Sequence, residues 1–302
     1  MVIIRLMGGL GNQMQQYALY RKFISMGKDA YLDTSWFAPD IQQNMKAPRS
    51  REIDTFPGVS YKEADAAMVQ AVKGGDSLKD KLMRKIRHTV IAEDRMYYPD
   101  LLDRDNVYLE GYWAAEKYYR DEFPLLRKQF SFDTSEMSEE AYKMADQIRQ
   151  SDHPVSVHIR RGDYLDPENM ALFGNIATDS YYEKAFSYIR DNIPGAVFFI
   201  FSDDPGYTAG KYGQDSDCRI VDVNHGDRNR FDMYLMSLCT SHICANSTFS
   251  FWGARLDPTH GTSGVCIRPT IQKNTQTFDI NIMRDLWRWW TFIDPSGKIY
   301  EV

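Results

Sequence analysis

The stretch VSVHIRRGDY, residues 155–164, decides the fold of this chain. Apolar and polar residues alternate from 155 to 160, and this period of two predicts a β-strand that ends at the arginines. On that strand His158 and Arg160 share one face, while Arg161 falls on the apolar side. Charge at the end of a buried strand indicates a site, and a guanidinium suits a diphosphate because it holds two oxygens at once. An arginine–aspartate pair that only closes the strand is the competing interpretation.

Strand and helix patterns alternate on both sides of this stretch. The predicted strands are 2–6, 30–32, 107–113, 155–160, 196–201, 219–223, 242–245 and 265–268. The predicted helices are 13–26, one that ends near 150, 181–192, 231–240 and 249–256. This order predicts an α/β fold whose parallel sheets are covered on both faces. The break at 151–154 (SDHP) divides the chain into two predicted domains, 1–150 and 151–302.

Length and composition narrow the class of protein. A chain of 302 residues can bury a substantial core, and its length favours two domains. The net charge of -6 provides no basic field for nucleic acid, so any phosphate must be met by local arginines. The cysteines lack the spacing of zinc or redox pairs, which predicts buried thiols at Cys218, Cys239, Cys244 and Cys266.

Two segments raise the question of a membrane. The basic stretch 79–88 (KDKLMRKIRH) is typical of a solvated helix face, with peripheral membrane attraction as the weaker alternative. The stretch 286–290 (LWRWW) is expected to pack against the other domain rather than touch a membrane interface or an acceptor. Neither a signal peptide nor an apolar span is evident, so the expected location is cytoplasmic, with peripheral contact at the inner membrane face left open.

Four loops that follow predicted strands carry the candidate chemistry. They are 8–13 (GGLGNQ), 160–164 (RRGDY), 202–204 (SDD) and 246–249 (NSTF). Ligands of parallel sheets bind at the carboxyl ends of strands, so these loops are expected to share a cleft.

The first loop has the outline of a dinucleotide fingerprint. Gly9 and Gly11 open a helix, and Asp33 lies about twenty residues further on, where a ribose-binding acid would be. Met14 occupies the third position, where a small residue lets helix and strand pack closely, and this argues against a dinucleotide-dependent oxidoreductase. The glycines still let the backbone approach a phosphate or a sugar, and a plain tight turn is the alternative.

The acidic loop allows two roles. Asp203 and Asp204 are candidate metal ligands, but adjacent side chains point apart and a third ligand is not nearby in the sequence. A hydrogen bond to a base or ribose, or a pair with Arg161, is therefore favoured.

The hydroxyl-rich loop also allows two roles. Asn246, Ser247 or Thr248 can cap the helix that is predicted to start near Phe249. The same hydroxyls and the backbone N–H groups at a helix start form an anion site, and both roles are compatible.

Taken together, these motifs resemble glycosyltransferase family 11, the α-1,2-fucosyltransferases. The motifs are GGLGNQM at 8–14, VHIRRGDY at 157–164, FSDD at 201–204 and ICANSTFSFWGA at 243–254. The resemblance implies a GT-B architecture, in which two Rossmann-like domains face a central cleft. It places the acceptor on the side of domain 1–150 and the nucleotide sugar in domain 151–302. Gln15 departs from the family, which usually carries Phe at this position.

The resemblance also implies an activity and its residues. The activity is inverting transfer of L-fucose from GDP-β-L-fucose to the 2-hydroxyl of a terminal galactose-type oligosaccharide or glycolipid, without a metal ion or other cofactor. Arg160 would contact the diphosphate, Asp203 the region around guanosine, and Asn12 would lie near the sugar. The residues expected to bind the donor are Gly9, Gly11, Arg160, Ser202, Asp203, Asn246, Ser247, Thr248 and Phe249.

Displacement at the anomeric carbon requires a positioned acceptor oxygen and a group that stabilises charge on the departing GDP. Arg160 is the expected electrostatic catalyst. A base would assist the acceptor hydroxyl, with Asp163 as first choice and His158 and Glu168 behind it. For His158 a hydrogen-bonded strand residue is the favoured alternative. A non-catalytic sugar-binding module is a further reading, suggested by the aromatic content. The acceptor stays open among a free oligosaccharide, a lipid-linked repeat unit and a precursor of bacterial surface polysaccharide.

Overall fold

The computed structural model describes residues 1–74 and 89–301, so the basic stretch 79–88 lies outside the described residues. The chain divides into two compact units, Met1–Ser131 and Phe132–Val302. Each unit contains a parallel sheet and packed helices. This architecture confirms the predicted α/β class with two Rossmann-like domains.

The first unit is built around its first strand. Its described strands are β1 Val2–Arg5, β2 Ala30–Asp33, β3 Val90–Ala92 and β4 Val107–Glu110. Its described α-helices are α1 Leu10–Ser25, α2 Pro39–Gln42, α3 Ala66–Lys73 and α4 Phe123–Gln129. The strands are parallel in the order β2-β1-β4-β3. A central β1 follows from its consecutive apolar residues, which are buried on both faces.

The second unit contains the larger sheet. Its strands are β5 Pro154–Ile159, β6 Val197–Ser202, β7 Cys218–Val221, β8 Ser241–Ile243, β9 Cys266–Pro269, β10 Thr291–Ile293 and β11 Ile299–Tyr300. Its α-helices are α5 Glu139–Gln150, α6 Pro167–Phe173, α7 Asp179–Asn192, α8 Pro205–Tyr212, α9 Arg230–Ser237, α10 Thr248–Leu256 and α11 Ile280–Leu286. The order is β11-β10-β9-β8-β5-β6-β7, and β10 and β11 form an antiparallel pair in this otherwise parallel sheet.

Helices cover both faces of this sheet, as predicted. On the α7/α8 face, Val157 and Ile159 of β5 pack in one apolar cluster with Tyr182. On the α5/α9 face, Phe199 and Phe201 of β6 belong to a second cluster. Every residue of β5 is buried, because the strand lies between β6 and β8 and beneath helices on both sides.

The boundary between the units lies at 131, and the predicted boundary at 150 is therefore wrong. Helix α5 belongs to the second unit, because its buried Ala141, Ala145 and Ile148 pack in the same cluster as Phe199 and Phe201. The break at 151–154 only leads from α5 into β5.

Helix α1 begins at Leu10, three residues before the predicted start at 13. The turn is confined to Gly8, whose φ of 81° is costly for a residue with a Cβ. A Cβ there would also lie 2.7 Å from Nδ2 of Asn12. Gly11 and Asn12 are thus helical residues of the first turn, not loop residues, and Gly9 is the N-cap.

A buried polar chain joins the two central strands. Oγ of Ser156 on β5 lies 2.7 Å from Nδ1 of His242 on β8, and Nε2 of His242 lies 3.3 Å from Oδ2 of Asp257. All three residues are buried. Because a one-residue slip would break this chain in the core, it reinforces the register in which Ser156 pairs with His242.

The tryptophan-rich stretch lies in the core of the second unit. Trp287 and Trp290 are buried, and both rings lie beside the buried guanidinium of Arg268, as does Phe292. This burial inside their own unit replaces the predicted packing against the other domain. Trp289 remains 45% exposed. In the described part of the chain, none of the helices has the length and apolarity needed to cross a membrane.

Candidate functional site

The chain order of the second sheet reverses between β5 and β8. Strands β6 and β7 extend the sheet on one side of β5, and β8, β9 and β10 extend it on the other. In open α/β sheets the ligand crevice lies at such a reversal, outside the carboxyl ends of the strands. Because β5 pairs directly with β8, the structure brings the predicted loops 160–164 and 246–249 to this edge together.

Arg160 and Arg161 leave the end of β5 in different directions. Nη1 of Arg160 lies 3.1 Å from Oδ2 of Asp203. Nε of Arg161 donates a hydrogen bond to Oδ2 of Asp204 at 3.0 Å, and the guanidinium lies 3.7 Å from the centre of the Tyr207 ring. The predicted bracing of Arg161 by an acid of the 202–204 loop is therefore confirmed, with Asp204 as its side-chain partner.

The turn after β6 supports the arginine loop. Oδ1 of Asp203 accepts a hydrogen bond from the backbone N–H of Arg161 at 2.8 Å. Oγ of Ser202 accepts one from the backbone N–H of Asp204 at 3.0 Å. The backbone N–H of Tyr207, followed by Arg161, lowers the pKa of Asp204, which keeps this carboxylate charged. Ion pairs thus engage both aspartates that were candidate metal ligands.

Gly162 allows the arginine loop to approach the acidic turn. A Cβ at this position would overlap Oδ2 of Asp203, the oxygen that pairs with Arg160. A side chain at this position would therefore force the Asp203 carboxylate to move.

His158 lies on the α5/α9 face, with its ring centre 5.9 Å from that of Phe249. Burial, and then the charge of Arg160, lower the pKa of His158 to about 3. Within the described residues Nδ1 of His158 has no hydrogen-bond partner. An imidazole that is neutral at pH 7 and so weakly basic is poorly matched to proton abstraction, so the structure disfavours His158 as the base.

The other two base candidates lie beyond β5. Asp163 belongs to the 3-10 helix Gly162–Leu165, but its side chain is outside the described part of the structure. Glu168 is exposed in the first turn of α6. The identity of the base stays a prediction.

Asn246 clamps the wall of the site. Its Nδ2 donates to the backbone carbonyls of Phe173 and Gln272, at 3.0 Å and 3.1 Å. The backbone carbonyl of Asn246 accepts a hydrogen bond from the hydroxyl of Tyr164 at 3.2 Å. The side-chain amide of Asn246 therefore positions the segment that follows β5, and its direct role in donor binding stays a prediction.

Helix α10 begins immediately after this clamp. Ser247 is its N-cap residue, but the described structure shows no capping hydrogen bond from its side chain, so the predicted cap by this hydroxyl is wrong. Thr248 and Phe249 form the first turn of the helix. A hydroxyl that is not used for capping is suited to the alternative role, contact with an anion.

The first unit contributes its own candidates at the carboxyl end of β1. Gly9, Gly11 and Asn12 lie at the start of α1. Asp33 is buried and accepts hydrogen bonds from the hydroxyl of Tyr108 and the backbone N–H of Ser35. These contacts occupy the carboxylate that an oxidoreductase would use for ribose.

The family departure at Gln15 lies in the same helix. Its side chain is wholly buried, and neither its Nε2 nor its Oε1 has a hydrogen-bond partner among the described residues.

A half-buried acid with a raised pKa was missed by sequence reasoning. Asp232 on α9 accepts a hydrogen bond from Nδ2 of Asn224, which follows β7, at 2.8 Å. Burial raises the pKa of Asp232 to about 7, against a weaker opposing effect of this hydrogen bond. Perturbed groups of this kind cluster at functional sites. The signal was available, since Asp232 is the lone acid in the apolar helical pattern 231–240.

A cavity of about 450 Å³ opens at the same sheet edge, on the α7/α8 face. Its wall includes Arg160, Arg161, Tyr164, Asn175, Ser180 and Tyr207. The fold and this edge define a class: an α/β protein of the Rossmann type, with an arginine-bearing ligand site at the reversal of strand order.

Comparison with known proteins identifies the family. The family model "Glycosyl transferase family 11" matches residues 77–289. The α-1,2-colitosyltransferase of Escherichia coli is 31% identical over 89% of this chain and 91% of its own length. The O-antigen biosynthesis glycosyltransferase WbnK of Escherichia coli is 27% identical over 83% of this chain and 89% of its own length. The solved fucosyltransferase NodZ from Bradyrhizobium aligns with a TM-score of 0.48 and 16% identity over 85% of this chain and 92% of that chain. The chain belongs to glycosyl transferase family 11, as its motifs predict.

Proposed function

We propose that this glycosyltransferase moves L-fucose from GDP-β-L-fucose to the 2-hydroxyl of a terminal galactose-type acceptor, with inversion at the anomeric carbon. Family membership and relatives such as the rabbit galactoside α-(1,2)-fucosyltransferase 2, 25% identical over 84% of this chain, support this activity. The family resemblance implies transfer without a metal ion. The two aspartates after β6, the candidate metal ligands, are paired with arginines, which fits that expectation.

The position of Arg160 carries the mechanism. It stands at the end of β5, where the strand order reverses, and its pair with Asp203 orients the guanidinium. An arginine has five N–H donors, so a contact through Nη1 is compatible with a diphosphate ligand. We assign Arg160 the stabilisation of negative charge on the departing GDP. Ser247, Thr248 and Phe249 would hold the nucleotide beside it.

The base is assigned by elimination among the candidates. A pKa of about 3 leaves His158 as a neutral, hydrogen-bonding or packing residue. Asp163 is our first choice for accepting the proton of the acceptor hydroxyl, followed by Glu168.

Replacing Arg160 tests the proposed function. In the presence of GDP-fucose and lactose, we expect the change Arg160→Ala to lower kcat about 10²–10³-fold, the usual effect of removing one preorganised charge-stabilising donor. Arg160→Lys should restore little, because a point charge does not reproduce the guanidinium fork. The matched control is Arg219→Ala, which removes an exposed arginine on β7. Mass spectrometry of the product measures transfer, and wild-type turnover by Arg160→Ala would refute the role.

A second donor is favoured by one relative. The 31% identical α-1,2-colitosyltransferase indicates that a colitose donor is the main competitor to a fucose donor. Parallel assays with GDP-fucose and with nucleotide-activated colitose, both at limiting donor, separate the two by their kcat/KM values.

A further inference from the structure

The cavity on the α7/α8 face lies on the opposite face of the sheet from Phe249, one of the proposed nucleotide residues. Its wall includes Ile159 and Tyr182, which belong to the α7/α8 apolar cluster. His158 and Phe249 lie on the α5/α9 face, where Phe249 packs against the second cluster. The cavity therefore adjoins the proposed nucleotide site, and Arg160 and Asn246, two of the expected donor residues, line it. Its volume of about 450 Å³ is within the usual range for small-molecule pockets.

The charges around this cavity are balanced, which disfavours a phosphate as its ligand. Each arginine of its wall is paired with an aspartate of the turn after β6. At the mouth Asp179 forms an ion pair with Lys211, and this contact is the main cause that lowers the pKa of Asp179. A wall without excess positive charge suits a neutral, polyhydroxylated ligand better than an anion.

The side chains of the cavity have the chemistry that a sugar ring needs. Tyr164 and Phe173 form a stacked pair with ring centres 5.2 Å apart and an interplanar angle of 17°. Asn175 and Ser180, exposed on the wall, supply an amide and a hydroxyl. Asn175 has a φ of 56°, a left-handed conformation that Asn adopts more readily than most residues with a side chain.

We propose that this cavity binds a pyranose ring, the terminal sugar of the acceptor. This inference rests on the proposed function, since it takes Arg160 as the group that holds the leaving diphosphate. An acceptor hydroxyl must lie within about 3–3.5 Å of the anomeric carbon to react, so its ring has to sit next to the Arg160 site. The fucose ring of the donor has the same chemistry and is the other source of a sugar for this space.

Two changes in the full-length chain test the proposal. Ser180→Trp puts a large ring into the cavity from an exposed position in the first turn of α7. Asn175→Gly removes the amide but retains a residue that adopts positive φ without strain. The matched control is Glu183→Trp, at an exposed position of α7 that does not line the cavity. The measurements are KM for lactose, KM for GDP-fucose, and Kd for GDP.

The pattern of changes identifies the sugar. If the acceptor ring occupies the cavity, Ser180→Trp should raise KM for lactose about tenfold or more, with Kd for GDP unchanged. If the fucose ring occupies it, KM for GDP-fucose should rise instead, again with Kd for GDP unchanged. The first result supports the acceptor ring in this cavity, and the second overturns that assignment in favour of the donor sugar. If Ser180→Trp has the same KM for lactose and the same KM for GDP-fucose as Glu183→Trp, the proposal is overturned.

A binding measurement separates this inference from the proposed function. Saturation-transfer NMR detects contact of lactose and of free L-fucose with the protein without any turnover. Loss of that contact in Ser180→Trp supports the sugar site even if GDP-fucose is not the donor. If neither sugar contacts the unaltered chain, the sugar-site proposal fails, whatever the outcome of the transfer assay.

Discussion

His158 shows how one position combines strand geometry with burial. The alternation of side chains along β5 places His158 on the face that carries Phe249, opposite the α7/α8 cluster. It lies two residues before Arg160. Protonation would place a second positive charge beside Arg160 at a buried position. Both effects keep the imidazole neutral.

The low pKa of His158 predicts a pH dependence of stability. In the unfolded chain the pKa of histidine is about 6.5, so between that pH and about 3 the unfolded state binds more protons than the folded state. The free energy of unfolding should therefore fall as the pH drops through this window, by up to about 1.4 kcal/mol per pH unit from His158. Urea unfolding at pH 7.5 and 5.5 should show a smaller loss in His158→Gln than in the unaltered chain. Equal losses would contradict a neutral His158.

Asp232 predicts the opposite dependence. Its pKa in the folded chain, about 7, exceeds the ordinary value of 3.8, so stability is lost as pH rises from about 4 through 7. We expect Asp232→Asn to gain stability relative to the unaltered chain at pH 8 by more than about 1 kcal/mol. The stabilities of Asp232→Asn and of the unaltered chain should differ less at pH 5. Urea unfolding at both pH values measures the difference, and a difference that does not grow with pH would count against the raised pKa.

At the scale of elements, the end of β5 works only together with the turn after β6. The loop bearing the two arginines and the turn bearing the two aspartates are about forty residues apart, and they meet because β5 and β6 are adjacent parallel strands. Arg160 pairs with Asp203 and Arg161 pairs with Asp204, so the two arginines are held by different partners and Arg161 braces the loop.

Gly162→Ala tests this coupling between elements. The added Cβ would overlap the carboxylate of Asp203 and displace the partner of Arg160. We expect kcat for fucosyl transfer to fall about tenfold or more, because small displacements of a charge-stabilising group are costly. Gly210→Ala in α8 is the matched control, since a Cβ at Gly210 meets no atom within 4 Å. Equal activities of the two variants would show that the Asp203 contact does not position Arg160.

At the scale of the molecule, the second unit contains the complete larger sheet, both of its apolar clusters and the Arg160 site. We therefore propose it as the nucleotide-sugar domain and the first unit as the acceptor-side domain. Acceptor-ring binding in the cavity of the second unit would extend the acceptor site beyond that first assignment.

This division predicts the behaviour of the isolated second unit. Residues 132–302 produced alone should show a cooperative thermal transition and bind GDP, because their cores are formed within the unit. Circular dichroism measures the transition and calorimetry the binding, with the same fragment carrying Arg160→Ala as the control. A folded fragment without affinity for GDP would contradict the domain assignment.

Several parts of the fold were not predictable from pattern. The helices at 205–212 and 280–286 and the strands at 291–293 and 299–300 carry weak periodicity. Strands of two or three residues are stabilised by their neighbours in the sheet rather than by their own sequence. The apolar residues of α5 did not reveal which unit the helix joins, because a helical pattern marks the buried face of a helix and not its packing partner.

The sequence by itself determined the β/α order around the site, the end of β5 at the arginines, the family, and the opposite faces of Arg160 and Arg161. These properties are local, since a period of two and a break are read from neighbouring residues. Only the tertiary structure decided which aspartate pairs with which arginine, the low pKa of His158, the clamp at Asn246 and the cavity. Each of these depends on contacts or burial among residues far apart in the chain, and no local pattern records them.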